Sequence, residues 1–96
     1  MHNKSIEIDY DPVKNIANIE KHGVSFYAVI NFEFDTALNA IDERYDYGEI
    51  RFRSLGFIRN RLYHLVYTLR NEGKIVRIIS LRKANNREQK HYATYS

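Results

Sequence analysis

The sequence predicts an α+β domain: two N-terminal helices packed on an antiparallel β-sheet, with a short C-terminal helix. Three observations carry this expectation. Apolar residues recur at three- and four-residue spacing up to about Phe34, and from Ala37 onward they alternate with period two. The alternating segments are separated by turns too short for the crossovers that parallel neighbours need, which favours a meander.

The elements follow in order. Ser5–Tyr10 alternates, placing Ile6, Ile8 and Tyr10 on one face of a first strand that stops at Asp11-Pro12. Aspartate is a good N-cap, and proline at the first helical position loses no hydrogen bond, so a helix is predicted from Pro12 to His22 with Gly23 as its left-handed cap. Its expected buried stripe is Val13, Ile16, Ala17 and Ile19. Ser25 is placed to cap a second short helix, Phe26 to Phe32, with Phe26, Val29 and Ile30 inward and Phe34 extending the stripe. Strands are predicted over Ala37–Asp42, Glu49–Gly56, Arg61–Arg70 and Lys74–Lys83, with turns at Asp46-Tyr47-Gly48, Arg59-Asn60 and Asn71-Glu72-Gly73. Asn85 or Asn86 then caps a polar helix from Arg87 to Tyr92.

Ninety-six residues fit one domain, residues 1–96, with no repeat or linker. The absence of cysteine excludes disulfides, thiolate metal sites and cysteine nucleophiles. No apolar run reaches the ~18 residues of a membrane span, and MHNKSIEIDY lacks the apolar core of a secretory signal. A cytoplasmic chain without a membrane partner is expected. The charge is divided: residues 1–48 hold four Lys/Arg against nine acids, whereas residues 49–96 hold eleven against three. A basic half of this kind suits a phosphate backbone or an acidic protein.

Strand alternation sets Arg51, Arg53 and Leu55 on one face, and separates Ser80 and Arg82 from Arg77, Leu81 and Lys83. Such arginines either face an anionic ligand or form surface ion pairs, with Glu49 and Glu43 as available partners. His22 at a helix C-terminus is either an acid/base group or a cap for the last carbonyls. His64 reads as a packed or edge histidine, and His2 has no role assigned. His91 and Glu88 have metal-ligand spacing but lack a third ligand, so neither metal nor other cofactor is expected. There is no G-x-S-x-G elbow, Walker motif or dinucleotide fingerprint. Tyrosines interleaved with basic residues suit base stacking, and equally suit packing.

Three segments resemble the BrnT family of small toxins from type II toxin–antitoxin modules. They are Asp9-Tyr10-Asp11-Pro12-x-Lys14 continuing through Asn18 and Lys21-His22-Gly23-Val24-Ser25-Phe26; Glu49-x-Arg51-Phe52-x-x-Leu55-Gly56; and Val66-Tyr67-Thr68 with Arg77-Ile78-Ile79-Ser80-x-Arg82-Lys83-Ala84 and Arg87-Glu88-x-x-x-Tyr92. The family often has tryptophan at the position of Tyr10 and acids where Tyr27-Ala28 stand here. The resemblance implies a RelE-like ribonuclease fold, RNA cleavage that inhibits translation, and a BrnA-type antitoxin that neutralises the toxin and binds operator DNA.

Metal-independent RNA cleavage requires the 2′-OH as nucleophile, a base, cations for the phosphorane charge, and an acid for the leaving oxygen. Arg51 and Arg82 are the expected phosphate clamp, with Arg77 or Lys83 as accessory cation and Lys21 and Arg53 as further RNA contacts. His22 with Glu88 or Tyr92 is the expected acid/base set. A noncatalytic binder, holding RNA or only its antitoxin, is the competing expectation. In either case an acidic or amphipathic antitoxin segment is expected over the basic sheet face, with Tyr63 and Tyr67 as candidate anchors.

Overall fold

The computed structural model describes residues 6–44 and 46–96, so the expected strand start at Ser5 and His2 lie outside the described residues. The chain runs β1 (Glu7–Asp9), α1 (Pro12–His22), two 3₁₀ turns (Phe26–Asn31 and Phe34–Thr36), β2 (Leu38–Ile41), β3 (Phe52–Ile58), β4 (Arg61–Arg70), β5 (Ile75–Lys83) and α2 (Asn86–Tyr95). The class is α+β. The five strands form one sheet in the order β1-β5-β4-β3-β2.

Two parts of the expected architecture are corrected. The sheet is mixed: β2 to β5 form the antiparallel meander, but β1 pairs parallel with β5, Ile8 opposite Val76. The long excursion through α1 and three strands supplies the return path that a parallel pair requires. Among the described residues there is also one N-terminal α-helix instead of two. Phe26, Val29 and Phe32 are spaced by three, which is the repeat of a 3₁₀ turn, and all three are buried in the main core while Ile30 is exposed. Ser25 caps this turn through the Tyr27 N–H, as its sequence position suggests.

The bounds of α1 agree with the expectation. The Asp11 side chain accepts from the Val13 N–H at 2.8 Å, and Gly23 adopts φ 74° while its N–H reaches the Ile19 carbonyl. The orientation is reversed: Val13, Ile16 and Ile19 are 74%, 59% and 42% exposed, and Asn18 is the buried residue of the helix. The physical reason lies at β5. β1 covers only Ile75 to Arg77, so Leu81 has a backbone edge without a strand partner. Asn18 fills it: Nδ2 donates to the Leu81 carbonyl at 2.8 Å and to the Val24 carbonyl at 3.0 Å, and Oδ1 accepts from the Leu81 N–H at 3.3 Å. Asn15, on the same side, accepts from the Phe26 N–H at 2.8 Å. Burying these amides outweighs burying the apolar stripe, because an unsatisfied strand edge in the interior costs more than exposed methyls.

The main core lies between the sheet and the 3₁₀ turns, with Phe26, Val29, Phe32, Leu65, Tyr67, Ile78 and Leu81 inside. Tyr67 and the partly buried Tyr63 belong to this packing, so they do not serve as exposed anchors. Gly56 lets Phe32 lie on β3, since a Cβ there would meet the ring at 2.5 Å. A smaller cluster of Leu55, Leu62 and Ala84 occupies the other face beneath Tyr92 of α2. There Asn85 and Glu88 form a reciprocal capping box.

Replacing Asn18 with alanine should destabilise the chain by about 2–3 kcal/mol, because both Leu81 backbone groups lose their partner. Val13→Ser should change stability by no more than about 0.5 kcal/mol. Urea unfolding of the two variants checks this contrast; a larger cost at Val13 would mean that α1 packs by its apolar face.

Candidate active site

One irregularity decides which cations share a face. Val66 lies opposite Ser80, whereas Tyr67 lies opposite Ile78, so β5 carries one extra residue, Ile79, at a bulge. The bulge moves Arg77 onto the face of Arg82, correcting the expectation that the two point apart. Leu55, His64 and Arg82 form one rung across β3, β4 and β5. With alternation this gives a sheet face, opposite the main core, that bears Arg53, His64, Arg82 and Arg77. Lys83 points to the other face, beside Tyr63.

α2 lies over part of this face and leaves a cleft of about 330 Å³, lined by Arg53, His64, Asn39, Arg87, Glu88 and His91. Its edge is tied by the hydroxyl of the buried Ser54, which hydrogen-bonds the Asn39 side chain. Arg82 is held in a two-point ion pair, Nη1 to Oε1 of Glu88 at 2.8 Å and Nη2 to Oε2 at 2.9 Å. Glu88 also accepts the Asn85 N–H. Hydrogen bonding from Arg82, opposed by burial, pulls the Glu88 carboxyl down to about 2. His64 is buried mid-sheet, and burial, then the Arg82 charge, pushes its imidazole down to about 4. It is therefore neutral near pH 7. Its Nδ1 and Nε of Arg53 are buried with no hydrogen-bond partner, two polar atoms of the kind a ligand would satisfy.

The other expected site residues are dispersed. His22 ends α1 within the field of Arg82, its pKa lowered by burial, then by Lys21 and Arg82; Lys21 is exposed. Arg51 precedes β3, ion-paired to Glu49 at 3.1 Å and stacked 4.0 Å over the Tyr47 ring. That is four residues from the Leu55 rung, or roughly 13 Å at strand rise. The pairing of Arg51 with Arg82 in one clamp is thus not what the geometry brings together; Arg53 is the β3 arginine in the cleft. Arg77 is paired to Asp9 at 2.7 Å. Tyr92 braces α2, its hydroxyl donating to the Thr36 carbonyl at 2.9 Å and its ring packing edge-on to Phe57.

Sequence reading gave His64 as a packed or edge histidine, weighed His91 with Glu88 only as a metal pair and had Arg87 only in the family pattern; the fold brings all three to the cleft. Counting back from the Asn71-Glu72-Gly73 turn would find the His64–Arg82 rung only with the bulge known. It also missed Asp42, whose buried carboxylate accepts from Arg44 at 2.8 Å and from Tyr47 at 3.0 Å; the Arg44 hydrogen bond holds it far below the usual carboxylate range. This knot fixes the chain between β2 and β3. Among the described residues no three His, Asp or Glu side chains gather as metal ligands, and no helix is long and apolar enough to cross a membrane.

Guanidinium groups and a neutral histidine around a half-covered cleft define a small α+β domain suited to a phosphate-bearing ligand. The model of the family described as the ribonuclease toxin BrnT of type II toxin–antitoxin systems matches residues 10–88. The chain belongs to that family, and the match takes in α1, all of β2 to β5 and the start of α2. Among curated proteins none matches.

The histidine gives a pH signature. With a folded pKa near 4 against an ordinary 6.5, His64 binds its proton more readily in the unfolded chain, so its contribution to stability is fully present above about pH 6.5 and is lost as pH falls towards 4. Glu88 adds a second loss as pH falls from about 4.5 towards 2. Melting temperature against pH should therefore decline in both windows. The His64→Gln variant should lose most of the upper decline, keeping only the smaller part that His22 contributes, and keep the lower one; an unchanged upper slope would show that His64 titrates normally.

Proposed function

We propose that this chain is a metal-independent endoribonuclease that cuts RNA by attack of the 2′-OH on the adjacent phosphorus, leaving a 2′,3′-cyclic phosphate and a 5′-hydroxyl. The observation that carries the reading is the convergence of Arg53, His64 and Arg82 on one sheet face beneath α2. Arg53 and Arg87 receive the phosphate oxygens, and Arg82, oriented by Glu88, adds positive charge where the phosphorane develops. Neutral His64 takes the 2′-hydroxyl proton. The incoming phosphate offsets the arginine charges that depress the imidazole and so raises its proton affinity as substrate binds. His91, on α2 across the cleft, protonates the leaving 5′-oxygen. Lys21 extends the cationic approach beyond Arg82 and His22 lines it as a hydrogen-bonding imidazole, while Arg51, Arg77 and Lys83 contribute to the field around the RNA. Tyr92 acts by holding α2 in place.

Cleavage of messenger RNA would inhibit translation in the cytoplasm. A BrnA-type antitoxin would neutralise the chain and carry the complex to operator DNA. The closed Arg82–Glu88 pair favours a second reading, in which α2 keeps the face shut and the chain only binds RNA or its antitoxin.

Purified chain incubated with end-labelled RNA in EDTA separates the two. Cleavage with cyclic-phosphate ends is expected, and His64→Gln or Arg53→Ala should slow it by roughly 100-fold or more. Arg51→Ala should cost less than about 10-fold, since its guanidinium is engaged with Glu49. Activity that appears only with added magnesium would rule the mechanism out, and no cleavage under any condition would favour the binding module.

A further inference from the structure

The outward side of α1 has no use in the site described. At 100° per residue, Ile19, Ile16, Val13 and Ala17 cover a ~160° arc of the helix directly opposite Asn15, Asn18 and His22, which face the protein. This arrangement inverts that of an ordinary surface helix, whose apolar arc is buried. Tyr27 and Ile30, 60% and 42% exposed, follow immediately in the next turn. Scattered exposed apolar residues are normal, but a continuous arc on one helix marks an interaction surface.

We propose that the Val13–Ile16–Ile19 face of α1 is the docking surface for the protein antitoxin, which lays an amphipathic segment with an acidic flank along it. The inference rests on the membership in a type II toxin–antitoxin family, which provides a protein partner, and it places that partner away from the cleft. Charge selects the acidic flank. Lys14 and Lys21 border the arc on its Ala17 side, while Glu20 is the single acid within it. Size argues against a second copy of this chain as the occupant. Eleven residues make a helix about 16 Å long, and two such faces crossing cover well under the ~800 Å² per partner of a stable dimer. A longer antitoxin segment can continue from α1 over Tyr27 and Ile30. The basic sheet face, expected to hold the antitoxin by charge with Tyr63 and Tyr67 as anchors, does not offer those two rings, because Tyr67 is buried in the core and Tyr63 packs against it.

The test uses the full chain and the protein encoded by the reading frame adjacent to its gene, with affinity, growth arrest and RNA cleavage read separately. In the V13S/I16S double variant the Kd for that protein should rise roughly 30-fold or more, and growth arrest should no longer be relieved by it. RNA cleavage and melting temperature should stay as in the parent. Ile50→Ser, which removes an equally exposed isoleucine elsewhere, should leave the affinity unchanged. Lys14→Glu should slow association at low salt and flatten its salt dependence. A Kd within threefold of the parent in V13S/I16S would overturn the proposal. So would a neighbour protein that neither binds nor neutralises the parent chain, or a parent homodimer that the double variant dissolves. Loss of RNA cleavage in the parent with the binding pattern intact would sink the ribonuclease reading and leave the docking surface standing.

Discussion

Leu81 stands where β5 has run past the end of β1, with its N–H and carbonyl turned away from β4 and no strand to meet them. One side chain, the amide of Asn18, answers both, and much of the molecule is arranged around that contact. Because an asparagine must face the sheet, α1 lies edge-on against β5 and turns its isoleucines to solvent. Because α1 is fixed there, its last residue, His22, falls within the field of Arg82. The same amide also ties the Val24 carbonyl, which sets the chain entering the 3₁₀ turn whose Phe26, Val29 and Phe32 build the main core. A polar contact in the interior thus determines the position of apolar packing, and the usual order of cause is reversed.

The second organising feature is the bulge at Ile79. Without it, alternation would send Arg77 and Arg82 to opposite faces and spread the positive charge around the sheet. With it, the core-facing side of β5 keeps Ile78 and Leu81 while the other side collects arginine. That concentration has an electrostatic cost, met in three ways. Asp9 neutralises Arg77, Glu88 neutralises Arg82, and His64, already disfavoured as a cation by its burial, stays neutral beside Arg82. Arg53 remains with a buried, unpartnered Nε, and this residual demand is the one that the proposed RNA phosphate would meet.

Local chemistry was legible in the sequence. Asp11-Pro12 and Gly23 bound α1 as expected, the three turns fall between strands where their residues indicated, and Asn85 with Glu88 caps α2. These devices involve residues within a few positions of each other, so their partners are visible along the chain. What failed were inferences about which side of an element faces inward. The apolar arc of α1 points outward because its competitor, the Leu81 backbone, lies sixty-three positions away. The second helix became a 3₁₀ turn because a spacing of three fitted the floor of the sheet better than 3.6. Alternation on β5 failed at a bulge that leaves no mark in composition. The reading of His64 as a packed or edge histidine agrees with its burial mid-sheet, but its rung with Arg82 depends on that bulge. The charge division between the halves did point to a cationic surface, and the segment resemblance pointed to the family that the chain belongs to.

The central claim is that the Arg53–His64–Arg82 face, and not the basic surface at large, is where RNA is bound for cleavage. Its most direct test is a nitrogen-15 NMR titration of the chain with a 2′-O-methyl RNA oligonucleotide, which binds but lacks the nucleophile. The His64 imidazole and Arg53 Nε resonances should shift together and saturate with the oligonucleotide. Resonances of these two groups that stay in place while those of Lys83 and Arg61 move would contradict the account.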